Sequence, residues 1–149
     1  MNSVHILYDG YSYKEGNKMF ANCTCTLIKG EKNILIDCMT AWDKDKIIEG
    51  LAKHGLEPSS IDYAIATHGH SDHLGNLNLF LEATHIVGFT ISKNNEFFDH
   101  SFDKGEPYVI TDDIKVVPTP GHTSDDISIY ITIRDNERNQ TKLCVVTGA

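Results

Sequence analysis

Apolar positions along the chain fall mostly in short runs of β-type residues, broken by two stretches of helical spacing. Residues 4–7, 23–28 and 33–37 read as strands, the last two joined by the Gly-containing turn Lys29-Gly30-Glu31-Lys32. The segment between the first two, around 9–18, is rich in Tyr, Ser and Gly and reads as a polar loop. Thr40 or Asp43 can cap a first helix running to about residue 53, with Trp42, Ile47, Ile48 and Leu51 as its buried stripe and His54-Gly55 ending it. Asp62-Tyr-Ala-Ile-Ala66 is a short buried strand. The spacing of Leu74, Leu77 and Leu81 predicts a second helix over 72–81. Residues 85–89 and 114–117 read as strands, 94–107 as a polar loop, and 127–133 with 141–147 as a hairpin joined by a charged turn. Strands alternating with helices in this order predict an α/β (α+β) fold, a mixed sheet covered by helices.

Composition narrows the class. The chain has 149 residues, 40% of them apolar and 23% charged, which suits a single packed domain. No apolar run approaches the length needed to cross a bilayer, so no membrane partner is expected. Thirteen basic against 21 acidic residues give a net charge of −8, without the basic footprint of a general nucleic-acid binder. A bound metal can still supply positive charge locally, so nucleic acid stays open as a substrate. Cys23, Cys25, Cys38 and Cys144 form no C-x-x-C pair, and the first residues carry no signal-peptide pattern. Free thiols in the cytoplasm (cytosol) or nucleus are the expectation.

Chemistry concentrates in Thr67-His-Gly-His-Ser-Asp-His73, directly after the buried strand. In an extended loop, alternate residues project to one side, so His68 and His70 can hold one metal together. Asp72 and His73 lie on the turn into the next helix and can face a second. Imidazole and carboxylate are the ligands of catalytic zinc, which also needs a third protein ligand from elsewhere in the fold. His122, in the turn sequence Thr119-Pro-Gly-His-Thr123, is the candidate. The remaining groups draw plainer readings. Cys23 and Cys25 are core or partly exposed thiols, Trp42 packs helix on sheet, and His5, His54, His85 and His100 are surface or capping groups. Asp125 and Asp126, which follow His122, read as a solvated loop, with assistance to a second metal as the alternative. Asp37 either orients a ligand imidazole or is a simple turn residue.

The pattern T-H-x-H-x-D-H after a strand, with T-P-G-H-T about fifty residues on, resembles the metallo-β-lactamase superfamily. The run Thr67-His-Gly-His-Ser-Asp-His-Leu-Gly-Asn-Leu-Asn-Leu-Phe80, Ile34-Leu-Ile-Asp37 and Asp9-Gly-Tyr11 carry the likeness further. The resemblance implies an αββα four-layer sandwich with metals at the edge of two sheets. It implies one zinc on His68, His70 and His122, and a second held partly by Asp72 and His73, hence up to two Zn(2+) with one complete site. Asp72 would orient water where it binds no metal. The family's bridging Asp falls at position 149, here Ala149, and its later His is not in the sequence, so residues 1–149 are expected to be the N-terminal part of the fold. The implied activity is hydrolysis, by an endoribonuclease (nuclease, endonuclease) cleaving histone pre-mRNA in 3′-end mRNA processing, with RNA as substrate. A small-molecule hydrolase acting on a thioester, lactone or β-lactam, and a truncated non-catalytic zinc-binding form, are the alternatives. Sheet surface left without a covering layer makes association, as a homodimer, a further expectation.

Overall fold

The computed structural model describes residues 1–148; Ala149, where the family's bridging Asp was sought, lies outside them. Two sheets stack face to face. The first has seven strands in the order β1-β4-β5-β6-β7-β8-β9: Ser3–Tyr8, Cys25–Lys29, Ile34–Ile36, Tyr63–Ala66, Thr84–Val87, Thr90–Lys93 and Glu96–Phe98. The second has four antiparallel strands, β10 to β13: Tyr108–Thr111, Ile114–Pro118, Ile127–Asp135 and Gln140–Val146. Helix α1 (Lys44–Ala52) connects β5 to the parallel strand β6.

Period-2 alternation builds two cores on the first sheet. Leu27, Leu35 and Ala64 face one way and pack with Ile47 and Leu51 of α1. Ile28, Ile34, Ile36, Ile65 and Ile86 face the other way and meet Ile114, Val116, Ile127, Ile129 and Ile131 of the second sheet. Burying an aliphatic side chain of this size contributes about 1.5–3 kcal/mol, so both layers contribute to cohesion. The helix–sheet–sheet stack is a partial αββα sandwich. Among the described residues no helix covers the outer face of the second sheet, where Val109, Leu143 and Val145 are exposed.

Four sequence expectations change. Residues 9–18 are not a loop: Tyr11–Glu15 (β2) and Lys18–Asn22 (β3) form a separate antiparallel hairpin, turning at Gly16 with φ 59°. The helix expected over 72–81 is a single turn, α2 (Ser71–Leu74), followed by a 3₁₀ turn at Leu77–Leu79. Tertiary bonds override the leucine spacing there. The Gly75 N–H donates to the Met39 carbonyl at 2.8 Å, and the Asn76 amide donates to the Cys38 and Thr40 carbonyls at 2.8 and 2.7 Å. Leu81 is left 73% exposed. Trp42 is 92% exposed rather than packed, because Asp43 rather than Thr40 starts the helix and Trp42 stays outside its buried face. The stretch 94–107 holds β9 and a 3₁₀ turn at Phe102–Lys104, with Phe102 buried between the sheets.

Candidate metal centre

The site forms where β6 and the β11–β12 connection meet at the common edge of the two sheets. Ile127 N–H donates to the Thr67 carbonyl at 3.0 Å, tying the connection to the end of β6. Gly121 N–H donates to the Thr123 carbonyl at 2.9 Å, closing a tight turn that presents His122. His68, His70 and His122 thereby converge, with one nitrogen from each within 4.8 Å of the others. Among the described residues this is the one group of three or more ligand-type side chains close enough to share an ion.

The donor chemistry fits a catalytic metal. His68 Nε2 and His122 Nε2 lie 2.9 and 3.1 Å from His70 Nδ1. Tetrahedral zinc with Zn–N bonds of about 2.0–2.1 Å sets ligand nitrogens about 3.3 Å apart, a few tenths from what is found. Hydrogen bonding fixes which His68 nitrogen is free. Thr67 Oγ1 donates to the Asp37 carboxylate, 3.1 Å from both oxygens, so its lone pairs face His68 Nδ1 at 3.2 Å and accept that proton. Asp126 Oδ1 lies 3.6 Å from the same Nδ1, an electrostatic contact. His68 Nε2 is therefore a lone pair aimed at the centre, the outer-shell arrangement metal-ligating histidines use. Burial, then the neighbouring His73 and His70, holds the His68 imidazole below its usual pKa, which favours the ligating neutral form.

Asp72 and His73 sit one turn away on α2. His73 Nδ1 contacts Asp37 Oδ2 at 3.0 Å, and its Nε2 lies 3.6 Å from Asp72 Oδ2. Burial opposes a charge on His73, but the Asp37 hydrogen bond and carboxylate outweigh it and raise its pKa. The cavity over the centre holds about 600 Å³ and is lined by all five candidate residues, with Tyr11 and Ser12 of the hairpin on one wall.

Asp37 is thus a positioning group, not a bare turn residue. It is buried, and it also accepts the Thr67 N–H at 2.8 Å. Asp126, read from sequence as solvated, is buried. It accepts Thr123 N–H and Oγ1–H at 2.7 and 2.8 Å, anchoring the His122 turn. Burial alone would raise its pKa, but those bonds hold it below the usual carboxylate range. Its signal in sequence was its place four residues after His122, in the turn that must join the sheets. Cys23 lines the cavity, where burial, reinforced by Asp37, pushes its thiol well up, and it is outside the three-imidazole group. His85 Nε2 and His100 Nε2 donate to the Phe80 and Glu106 carbonyls and lie outside the centre.

A family model described as the metallo-beta-lactamase superfamily matches residues 20–114. Metallo-beta-lactamase domain-containing protein 1 of Xenopus laevis is 41% identical over 132 residues, covering 87% of this chain and 57% of that protein. The human protein of the same name is 32% identical over 100 residues, covering 66% of this chain and 38% of the relative. The chain thus spans about half the length, or less, of these curated relatives. Among solved structures, the subclass B3 enzyme BJP-1 of Bradyrhizobium japonicum superposes with a TM-score of 0.64 at 18% identity, covering 83% of this chain and 55% of that one. MIM-1 from Novosphingobium pentaromativorans gives 0.64 at 15% identity, covering 93% and 60%. At such identities the structures speak to the fold alone.

Proposed function

This chain belongs to the metallo-beta-lactamase superfamily of metallo-hydrolases, and on that premise we propose that it is a metal-dependent hydrolase acting in the cavity over His68, His70 and His122. The observation that carries the reading is the convergence of three imidazole nitrogens, 2.9 and 3.1 Å apart, on the floor of an open cavity. Zinc, the expected ion, when bound there supplies a Lewis acid and brings the pKa of water to about 7. His68, His70 and His122 would hold the ion through the nitrogens that face one another. Thr67 and Asp126 keep the His68 proton on Nδ1. Asp72 is the proposed catalytic carboxylate: where it binds no metal, its Oδ2 would accept a hydrogen bond from water at the cavity floor and orient it. His73, held by Asp37, contributes with Asp72 to part of a second metal position.

The substrate we propose is RNA, cleaved at a phosphodiester bond in histone pre-mRNA 3′-end processing. Support comes from the likeness carried by residues 67–80 and Asp9-Gly-Tyr11. It is aided by half-exposed Tyr11 on the cavity wall, whose ring offers a face for base stacking. The cytosol or nucleus is the matching compartment, and the exposed Val109, Leu143 and Val145 support self-association as a homodimer. A second reading, a small-molecule hydrolase for a thioester, lactone or β-lactam, is favoured by a cavity within the usual range of about 300–1,000 Å³ for such ligands and by the net charge of −8. Zinc-loaded protein is assayed on a synthetic histone stem-loop RNA and on a panel of thioesters, lactones and β-lactams, with His122→Ala as control. RNA cleavage lost in the variant supports the first reading, and turnover only in the panel supports the second. Tight zinc binding without turnover on either refutes both and favours a non-catalytic zinc-binding form.

A further inference from the structure

A second recess, of about 690 Å³, lies beside the C-terminal end of α1 and shares no lining residue with the metal cavity. Ser3 and His5 of β1, Lys29 of β4, Asn33 and His54 form its walls. The His5 and His54 rings lie 4.4 Å apart, tilted by 43°. Ser3 Oγ and His5 Nε2 are 2.8 Å apart, and Lys29 Nζ donates to the His54 carbonyl at 2.8 Å. Strand register explains the grouping, since Ser3 pairs with Lys29 across β1 and β4 and His5 follows two residues on, on the same face. His54 arrives from the end of α1.

Charge makes this recess unusual for the molecule. The chain carries 21 acidic residues, yet no acidic side chain lines the recess. Among the described residues, none of His5, Lys29 and His54 is ion-paired. Asp62, which reaches the same loop, is turned to the Asn33 N–H at 2.8 Å, and Glu31 and Lys32 sit in the adjoining turn. Three groups that are or can become cationic are thus drawn together without a counter-charge. Two imidazoles beside an ammonium disfavour a metal cation, because Lys29 repels it.

We propose that this recess binds an oxyanion of the phosphate class, held by His5, His54 and Lys29, apart from the three-histidine centre. A tetrahedral oxyanion has enough acceptor oxygens to meet all three donors, and charge-assisted bonds of this kind are the strong ones. Burial, then His54 and Lys29, pushes the His5 pKa down in the free protein. An anion offsets the two repulsions, so binding takes up protons and tightens as the pH falls through the imidazole range. From β1 the titrating group is His5, from β4 the facing charge is Lys29, from the segment after α1 it is His54, and Met1, which also lines the recess, adds the α-ammonium of the 149-residue chain. The site is independent of the hydrolase reading.

The test follows the histidine C2–H resonances of the 149-residue protein by NMR as inorganic sulfate, a tetrahedral oxyanion of the same charge at both pH values, is added at constant ionic strength, at about pH 6 and about pH 8, bracketing the ordinary imidazole pKa. Lys29→Gln and His54→Gln are titrated alongside, and unchanged zinc content in each reports that the fold holds. Saturable, concerted shifts of His5 and His54 are expected, with affinity falling about tenfold at the higher pH and about tenfold in each variant, the loss of one charge-assisted bond. Competition by adenosine monophosphate supports the proposal and assigns the ligand to free phosphomonoesters. Competition by a dinucleotide lacking a terminal phosphate supports it and assigns the ligand to a polynucleotide backbone. Absence of saturable shifts at both histidines, or equal affinity in the wild type and both variants, overturns it.

Discussion

Asp37 offers the sharpest test of how the metal centre is assembled. It is 3% exposed and sits at φ 61°, a left-handed conformation that Asp and Asn tolerate better than other residues with a Cβ. Its carboxylate accepts from Thr67 N at 2.8 Å and contacts His73 Nδ1 at 3.0 Å, and both residues are buried. Asp37→Ala takes the partner from three buried groups, the Thr67 N–H, the Thr67 hydroxyl and His73 Nδ1, at a cost of about 1 kcal/mol or more each. It also places Ala in the left-handed region, which adds about 1 kcal/mol. The expected loss is about 4 kcal/mol, a large share of a typical stability of about 5–15 kcal/mol. Asp37→Asn keeps the backbone conformation and the Thr67 acceptor but gives up the charge facing His73, so its cost is about 1–2 kcal/mol. The difference has a pH signature. Asp37 raises the folded-state pKa of His73, so the stability from that contact is complete below the unfolded imidazole value and is lost as pH rises through the higher folded value. Asp37→Asn in metal-free protein is therefore more damaging at about pH 6 than at higher pH, above the folded His73 titration. Urea denaturation of the wild type and both variants, with EDTA present, measures all three quantities. Equal destabilisation by Ala and Asn, or an Asn penalty that grows as pH rises, refutes the reasoning.

Other consequences can be measured alongside. One tightly held zinc per chain is expected by atomic absorption, and His68→Ala or His122→Ala should release it; two tightly bound ions would show that Asp72 and His73 complete a second site among these residues. Asp43 accepts from Thr40 N, Thr40 Oγ1 and Asn22 Nδ2 at 3.1, 2.6 and 2.9 Å; burial alone would raise its pKa, but these bonds and Lys46 hold it below the usual value. Its contribution is present above the unfolded carboxylate pKa of about 3.9 and fades as pH falls through the lower folded value, so Asp43→Asn should flatten the acid side of the stability curve seen by thermal melts from about pH 5 to pH 2. A Cβ at Gly75 would collide with the backbone of Met39, Thr40 and Ala41, so Gly75→Ala should cost about 1–3 kcal/mol or more in urea denaturation, whereas Gly69→Ala, which meets nothing, should be close to neutral.

What could be read from the residues depended on how local the determining forces were. His68, His70, Asp72 and His73 lie within seven positions of Ala66, the end of β6, so strand and turn geometry bring them together. The two isoleucine and leucine faces of β4 and β5 were legible for the same reason, since alternation needs only the neighbouring residue. The helix over 72–81 failed because its fate lies in contacts more than thirty residues away: the Met39 carbonyl takes the Gly75 N–H, and Asn76 bridges Cys38 and Thr40. Leucine spacing carries no information about those bonds. The β2–β3 hairpin carried a local signal, Tyr11 and Tyr13 at alternate positions and Phe20 at the register opposite Tyr13 about Gly16-Asn17, but its polar content disguised it. Its Tyr13 and Phe20 rings stack at 5.0 Å across the strands, a pairing that stabilises a hairpin without a buried face.

Asp37 and Asp126 form the middle case, and they show why a ligand list understates such a site. Each is a carboxylate at a chain turn, where sequence offers a solvated residue as the simplest reading. Each becomes buried only because the sheets close over it, and each then spends its oxygens on the elements that carry the ligands. Asp37 ties the end of β5 to Thr67 and His73. Asp126 ties the His122 turn to His68 through Thr123 and the 3.6 Å contact with Nδ1. The three imidazoles come from two separate segments, and no local rule places His122 beside His68. The buried carboxylates do so, by converting the closure of one sheet on the other into the spacing of three nitrogen atoms. A substitution at either Asp should therefore weaken metal binding without removing a ligand.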